Sequence, residues 1–103
     1  MILQELAQAL ETLNIPVTYS HFNDPQTPPF ICYLVTGSDN FNADNTTYQE
    51  FTNVDIELYT KKKDITLENQ LKQLLKDNEL PFDYSSVFIN EEKIYKITYE
   101  VTL

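Results

Sequence analysis

Residues Val54, Asp55, Ile56, Glu57, Leu58 and Tyr59 alternate apolar with polar side chains without a break. Period two puts Val54, Ile56 and Leu58 on one face of a strand and Asp55, Glu57 and Tyr59 on the other. Acids turned outward from an apolar face belong to an antiparallel sheet with one packed side and one wet side. Upstream, Pro28-Pro29-Phe30-Ile31-Cys32-Tyr33-Leu34-Val35 contains a continuous apolar run over 30–35. That run predicts a second strand, covered on both faces or packed over a large surface. The polar bridge Ser38-Asp39-Asn40-Phe41-Asn42-Ala43-Asp44-Asn45 between them is expected to be a loop. Gly37, the only glycine, is expected where the first strand ends, taking a positive backbone angle that other residues resist.

Other elements flank this pair. Ile2, Leu3, Leu6, Ala9, Leu10 and Leu13 recur at spacings of three and four, with Gln4, Glu5, Gln8 and Glu11 between them. This predicts an amphipathic helix, ending near Asn14 because Pro16 cannot continue it. Val17 and Tyr19 predict a short strand, and 23–29, with three prolines and no hydrophobic residue, a loop. Asp64 is a candidate N-cap for a helix with Leu67, Leu71, Leu74 and Leu75 on one stripe, closed by Pro81. Two further strands, 82–89 and 94–103, are joined by Asn90-Glu91-Glu92-Lys93, a glycine-free turn that favours a loop longer than two residues. This order predicts a single α+β domain over 1–103: a mainly antiparallel sheet with two helices packed on one face.

The charge balance limits what such a domain can bind. Sixteen Asp and Glu stand against seven Lys and no Arg, a net charge of -9. Specific nucleic-acid binding is not expected, since neutralising phosphates needs a surplus of Lys or Arg. No apolar run approaches the ~20 residues that span a bilayer, so no membrane role is expected. The start Met1-Ile2-Leu3-Gln4-Glu5 lacks the basic and apolar regions of a signal peptide. The one cysteine, Cys32, lies within an apolar strand and is expected to be a buried thiol.

No motif for catalysis, cofactor or metal emerges. Cys32 and His21, the only histidine, form one conceivable nucleophile and base, but no positive charge that would lower the thiol pKa lies near Cys32 in sequence. The oxygen-rich run 39–45 lacks the turn glycine and terminal Glu of a calcium loop. What remains is surface. Asp39, Asn40, Phe41, Asn42, Asp44 and Tyr48 put aromatic residues into polar surroundings, a composition found at protein interfaces; Phe41 folded back onto the sheet is the alternative. Lys61, Lys62 and Lys63 are the only concentrated positive charge, placed either against an acidic face of another copy or in solvent.

Several short islands recur in order along nearly the whole chain. They are Leu13-Asn14-Ile15-Pro16-Val17-Thr18-Tyr19, His21-Phe22, Pro28-Pro29-Phe30-Ile31-Cys32-Tyr33-Leu34, Ser38-Asp39-Asn40-Phe41, Ala43-Asp44, Ile56-Glu57-Leu58-Tyr59-Thr60, Lys62-Lys63-Asp64 and the closing strand 95–103. In these the chain resembles a family of small proteins encoded in the head-to-tail joining region of long-tailed phages and prophages of Gram-positive bacteria. That family is similar in size and element order to tail-terminator, or tail-completion, proteins. The resemblance implies an α+β subunit that assembles as a homo-oligomeric ring, a hexamer, with no enzymatic activity. It also implies the tail tube protein and the head connector protein as partners, with DNA passing through the ring, and residence in the host cytoplasm during assembly and in the virion tail afterwards. The acidic balance suits such a channel, because it repels the phosphate backbone. An acidic DNA mimic that inhibits a host DNA-binding enzyme would share that charge.

Overall fold

The computed structural model describes residues 1–43 and 47–103, with side chains described outside 40–50. The chain runs α1 (Leu3–Glu11), β1 (Val17–Tyr19), β2 (Phe30–Ala43), β3 (Thr47–Thr60), α2 (Ile65–Asp77), β4 (Phe82–Ile89) and β5 (Ile94–Thr102). The strands form one sheet in the order β1-β2-β3-β5-β4. All neighbours are antiparallel except β1 and β2, which run parallel with Val17 opposite Ile31. This is the α+β domain expected, with one parallel pair added at its edge.

Alternation decides which face is buried. Val54, Ile56 and Leu58 of β3 lie opposite Val101, Tyr99 and Ile97 of β5, and Ile31 of β2 lies opposite Leu58. These side chains form one core with Leu6 and Leu10 of α1 and Leu67, Leu71 and Leu75 of α2. Both helices therefore cover the same face of the sheet. Each such leucine taken from water contributes roughly 1.5–3 kcal/mol.

The helix ends follow the sequence signals. In α1 the Glu5 carboxylate accepts the Ile2 N–H at 2.9 Å, and Asn14, at φ 61°, turns the chain away before Pro16. The Asp64 carboxylate accepts the Leu67 N–H at 3.0 Å and so caps α2. At the other end Glu79 takes φ 58°, the Leu80 N–H reaches back to the Leu75 carbonyl at 2.9 Å, and buried Leu80 seals the turn. Asp64→Ala is expected to destabilise the fold by about 0.5–2 kcal/mol, the usual worth of an N-cap, read as a lower denaturation midpoint with an unchanged slope.

Two expectations about the middle of the chain are corrected. The bridge 38–45 is not a loop between strands: Ser38 to Ala43 continue β2, and β3 begins at Thr47, with Ala43 opposite Thr47. Its last two residues, Asp44 and Asn45, lie outside the described residues. Nor does Gly37 end a strand at a positive angle. It sits inside β2 with no positive φ, next to a register shift between Val35 and Gly37 that leaves Thr36 as a bulge. A Cβ added at Gly37 would meet nothing within 4 Å. The glycine thus marks a bend in the strand, where its missing side chain costs no packing.

These longer strands change the outline of the molecule. β5 pairs with β3 only from Asn53 to Thr60, and β1 covers β2 only from Ile31 to Tyr33. Beyond Gly37 and Asn53, among the described residues, β2 and β3 pair with no third strand. The stretch of β2 from Ser38 to Ala43, at about 3.3 Å per residue, makes this arm roughly 20 Å long. The radius of gyration, 15.0 Å, exceeds the ~13 Å of a compact domain of this length, and the longest extent is 50 Å against 28 and 23 Å across.

Candidate functional site

Asn53 makes most of the side-chain ties at the base of the arm. Its side-chain amide donates to the Asp39 carboxylate at 3.3 Å, its side-chain oxygen accepts the Thr102 hydroxyl at 2.9 Å, and its carbonyl accepts the Thr36 hydroxyl at 3.4 Å. The Leu103 N–H reaches the neighbouring Thr52 carbonyl at 2.8 Å. Bulge, arm and sheet body are thus tied together at one level. Beyond it, Phe51 is exposed (40%), although a phenylalanine on a two-stranded ribbon gains little from facing water.

The surface residues singled out in the sequence fall into two groups at opposite ends of β3. Asp39 is exposed on β2. Asn40, Phe41 and Asn42 follow it on the arm, opposite Glu50, Gln49 and Tyr48 in register, while Asp44 lies outside the described residues. Lys61, Lys62 and Lys63 are exposed just after Thr60. The fourteen residues of β3 separate them from the arm's outer end, about 46 Å of extended chain. Lys63 is engaged, its Nζ 3.0 Å from the buried Glu68 carboxylate, which ties the loop after β3 to α2.

The face of the sheet opposite the helices is acidic. Asp55, Glu100 and Asp83 lie directly opposite one another across β3, β5 and β4, lining a shallow concavity of about 460 Å³. Like charges facing each other across strands oppose folding. One lysine answers them, Lys96, whose Nζ lies 3.1 Å from Glu57; Glu57 in turn accepts the Tyr59 hydroxyl at 3.0 Å. Burial, helped by the charge of Glu57, pushes the Asp55 carboxyl above its ordinary range, against the pull of Lys96. A raised acid adds stability that is complete below the unfolded-state pKa and lost as pH rises through the folded one. Asp55→Asn is therefore expected to melt at or above the wild-type temperature at pH 7, with the difference vanishing below about pH 4.

Loop 20–29 folds over the far end of this face, where Phe22 meets Phe30 edge-on and Phe30 stacks on Tyr59. His21 and Cys32 line the same cavity there. The His21 Nδ1 lies 3.1 Å from the Ser20 hydroxyl. Cys32 is 4% exposed, and burial followed by the Glu57 charge pushes its thiol upward, away from the thiolate a nucleophile needs. Cys32 is expected to react with a thiol reagent at neutral pH only as fast as the protein unfolds. Among the described residues, no three of His, Cys, Asp and Glu converge in a way that could hold a metal. The run 39–43 is extended strand rather than a chelating loop.

Two features were not anticipated. The acidic row required the register of β4 on β5, which no local pattern reveals. The other is the edge of β4, where Tyr84, Val87 and Phe88 stand exposed together; its signal was present in the aromatic and β-branched content of 82–89. No protein-family model matches this chain, and no curated protein is significantly similar to it.

Proposed function

We propose that this chain is a structural subunit of a phage or prophage virion that caps or completes the tail tube and joins it to the head connector, acting by ring assembly rather than chemistry. The observation that carries the reading is the arm: a ribbon of about 20 Å that, among the described residues, pairs with no third strand and is bolted at Asn53 to a small α+β body. Such an extension gains its packing from another chain. An arm at one end of β3 and Lys61 and Lys62 at the other suit head-to-tail contacts, which close into rings when the rotation allows. The acidic face, with Asp55, Glu57, Asp83 and Glu100 against Lys96, suits a bore that passes DNA without holding it. The subunit assembles in the host cytoplasm and then remains in the tail.

Native mass spectrometry and electron microscopy, with and without tube protein, test this reading. A closed ring is expected; a species that never closes, with tube protein present at high concentration, overturns it. The same acidic face also favours a second reading, a DNA mimic that inhibits a host enzyme, which requires tight, salt-sensitive binding to a DNA-binding protein.

A further inference from the structure

The end strand β4 has the properties of an edge made to be paired. Natural sheets blunt an exposed edge with Lys, Pro, a bulge or a short strand. β4, Phe82-Asp83-Tyr84-Ser85-Ser86-Val87-Phe88-Ile89, has none of these and runs without a register shift against β5 from Phe82↔Val101 to Ile89↔Ile94. Its outer side chains are large and wet: Tyr84 is 55% exposed, Val87 54% and Phe88 40%. Tyr84 and Phe88 lie on the helix side of the sheet, since their partners on β5 are Tyr99 and Tyr95. Neither is left bare for want of a local contact, because Lys72 of α2 sits 4.1 Å over the Tyr84 ring and Phe88 meets Tyr95 edge-on. What is missing is a neighbour on the outer side.

The geometry points to a second copy of this chain as that neighbour, with two β4 strands pairing antiparallel about a two-fold axis at Ser86. The strand is self-complementary about this point. Antiparallel pairing centred on Ser86 puts Tyr84 opposite the second copy's Phe88, so that both exposed rings gain a cross-strand partner. Ser85 then faces Val87, and Asp83, the only carboxylate on the strand, faces Ile89 instead of another acid. That matters for a chain of net charge -9, whose copies repel wherever acids meet. The acidic row on β3, β5 and β4 could not self-associate, whereas the outer edge of β4 can. The product is a continuous ten-stranded sheet, two copies of the five-stranded one. Pairing of this isologous kind stops at two, and it uses a different surface from the arm-mediated contact of a ring.

Symmetry supplies the test, because residue 86 of one copy lies about 5 Å from residue 86 of the other. Wild-type protein is expected to sediment as a dimer at micromolar concentration. Ser86→Lys and Ser86→Glu, at an exposed position, are each expected to keep the wild-type circular dichroism spectrum while weakening the dimer about tenfold or more, because like charges then meet across the axis. Mixing the two variants should restore a heterodimer. Ser86→Cys should form an interchain disulfide on mild oxidation, and Ser85→Cys, which faces Val87, should not. A monomeric wild type, a dimer indifferent to either charge, or failure of the mixture to recover overturns the pairing. Rings formed by wild type and Ser86→Lys alike, with no wild-type dimer, would sink this inference and leave the ring reading intact. A wild-type dimer that never builds a ring with tube protein would do the reverse.

Discussion

Tyr99→Ala is expected to destabilise the protein by about 3–5 kcal/mol, the cost of deleting a fully buried aromatic ring. Tyr99→Phe is expected to leave stability unchanged or raise it. The ring lies at the centre of the sheet, 0% exposed, opposite Ile56 on β3 and Tyr84 on β4, with Phe82 packed edge-on against it. A small domain has only about 5–15 kcal/mol in all, and each kcal/mol shifts the melting temperature by roughly 4–8 °C at this size. The alanine variant therefore melts well below wild type or does not fold at physiological temperature. The hydroxyl is another matter. The Tyr99 oxygen is buried without a hydrogen-bond partner, and removing an unsatisfied polar group costs nothing that its burial had gained. Burial and the nearby charge of Glu68 hold the phenol protonated well above its ordinary range, as burial and Glu57 do for Tyr59. Both phenols are raised, so their contribution is complete below the unfolded value of about 10 and drains away as the pH climbs past it. Alkaline titration monitored by circular dichroism should show wild type losing stability above that point and Tyr99→Phe losing less.

The second large effect concerns assembly. Replacing residues 39–51 by an Asn-Gly dipeptide, a two-residue hairpin turn between Ser38 and Thr52, is expected to abolish ring formation while the body stays folded. The cut removes strand pairing that the two arms make only with each other. It spares the Leu103 N–H bond to the Thr52 carbonyl and the Thr102 bond to Asn53. Among the described residues, the bond from the body that it removes, Asn53 to Asp39, is worth about 1 kcal/mol. For the monomers, small-angle scattering should report a radius of gyration falling from 15.0 Å toward the ~13 Å of a compact domain. A variant that still closes rings would remove the arm from the assembly contact.

The arm has little local signature in the sequence, whereas the body has a strong one. The body was legible because its signals are local: alternation in Val54, Ile56 and Leu58, the leucine stripe of α2, the Asp64 cap, and Pro16 and Pro81 as stops. The outer half of β2 carries Gly37, Ser38, Asp39, Asn40 and Asn42, residue types depleted from strands because their side chains favour turns. The strand forms because β3 lies beside it, and Thr47, Tyr48 and Phe51 there supply the β-forming character. Tertiary pairing overrides local preference. The parallel placement of β1 is likewise a property of the partner strand and not of Val17, Thr18 and Tyr19. Among the candidate surface residues, Asp39, Asn40, Phe41, Asn42 and Tyr48 do come together on one arm, while Asp44 lies outside the described residues. The extended strand β3 sets Lys61, Lys62 and Lys63 at the far end from them.

The strand order also dictates a folding route. β2 with β3, and β4 with β5, are antiparallel pairs of strands consecutive in the chain, but the sheet is complete only when β3 meets β5, from Thr60 with Tyr95 to Asn53 with Thr102. Closing the long loop between them is the slow, entropically costly step. The protein is in this sense two strand pairs zipped along the β3–β5 seam with α2 laid across it. Substitutions along the seam, at Ile56, Leu58, Ile97 or Tyr99, should slow folding itself, whereas changes in the arm should leave the rate alone.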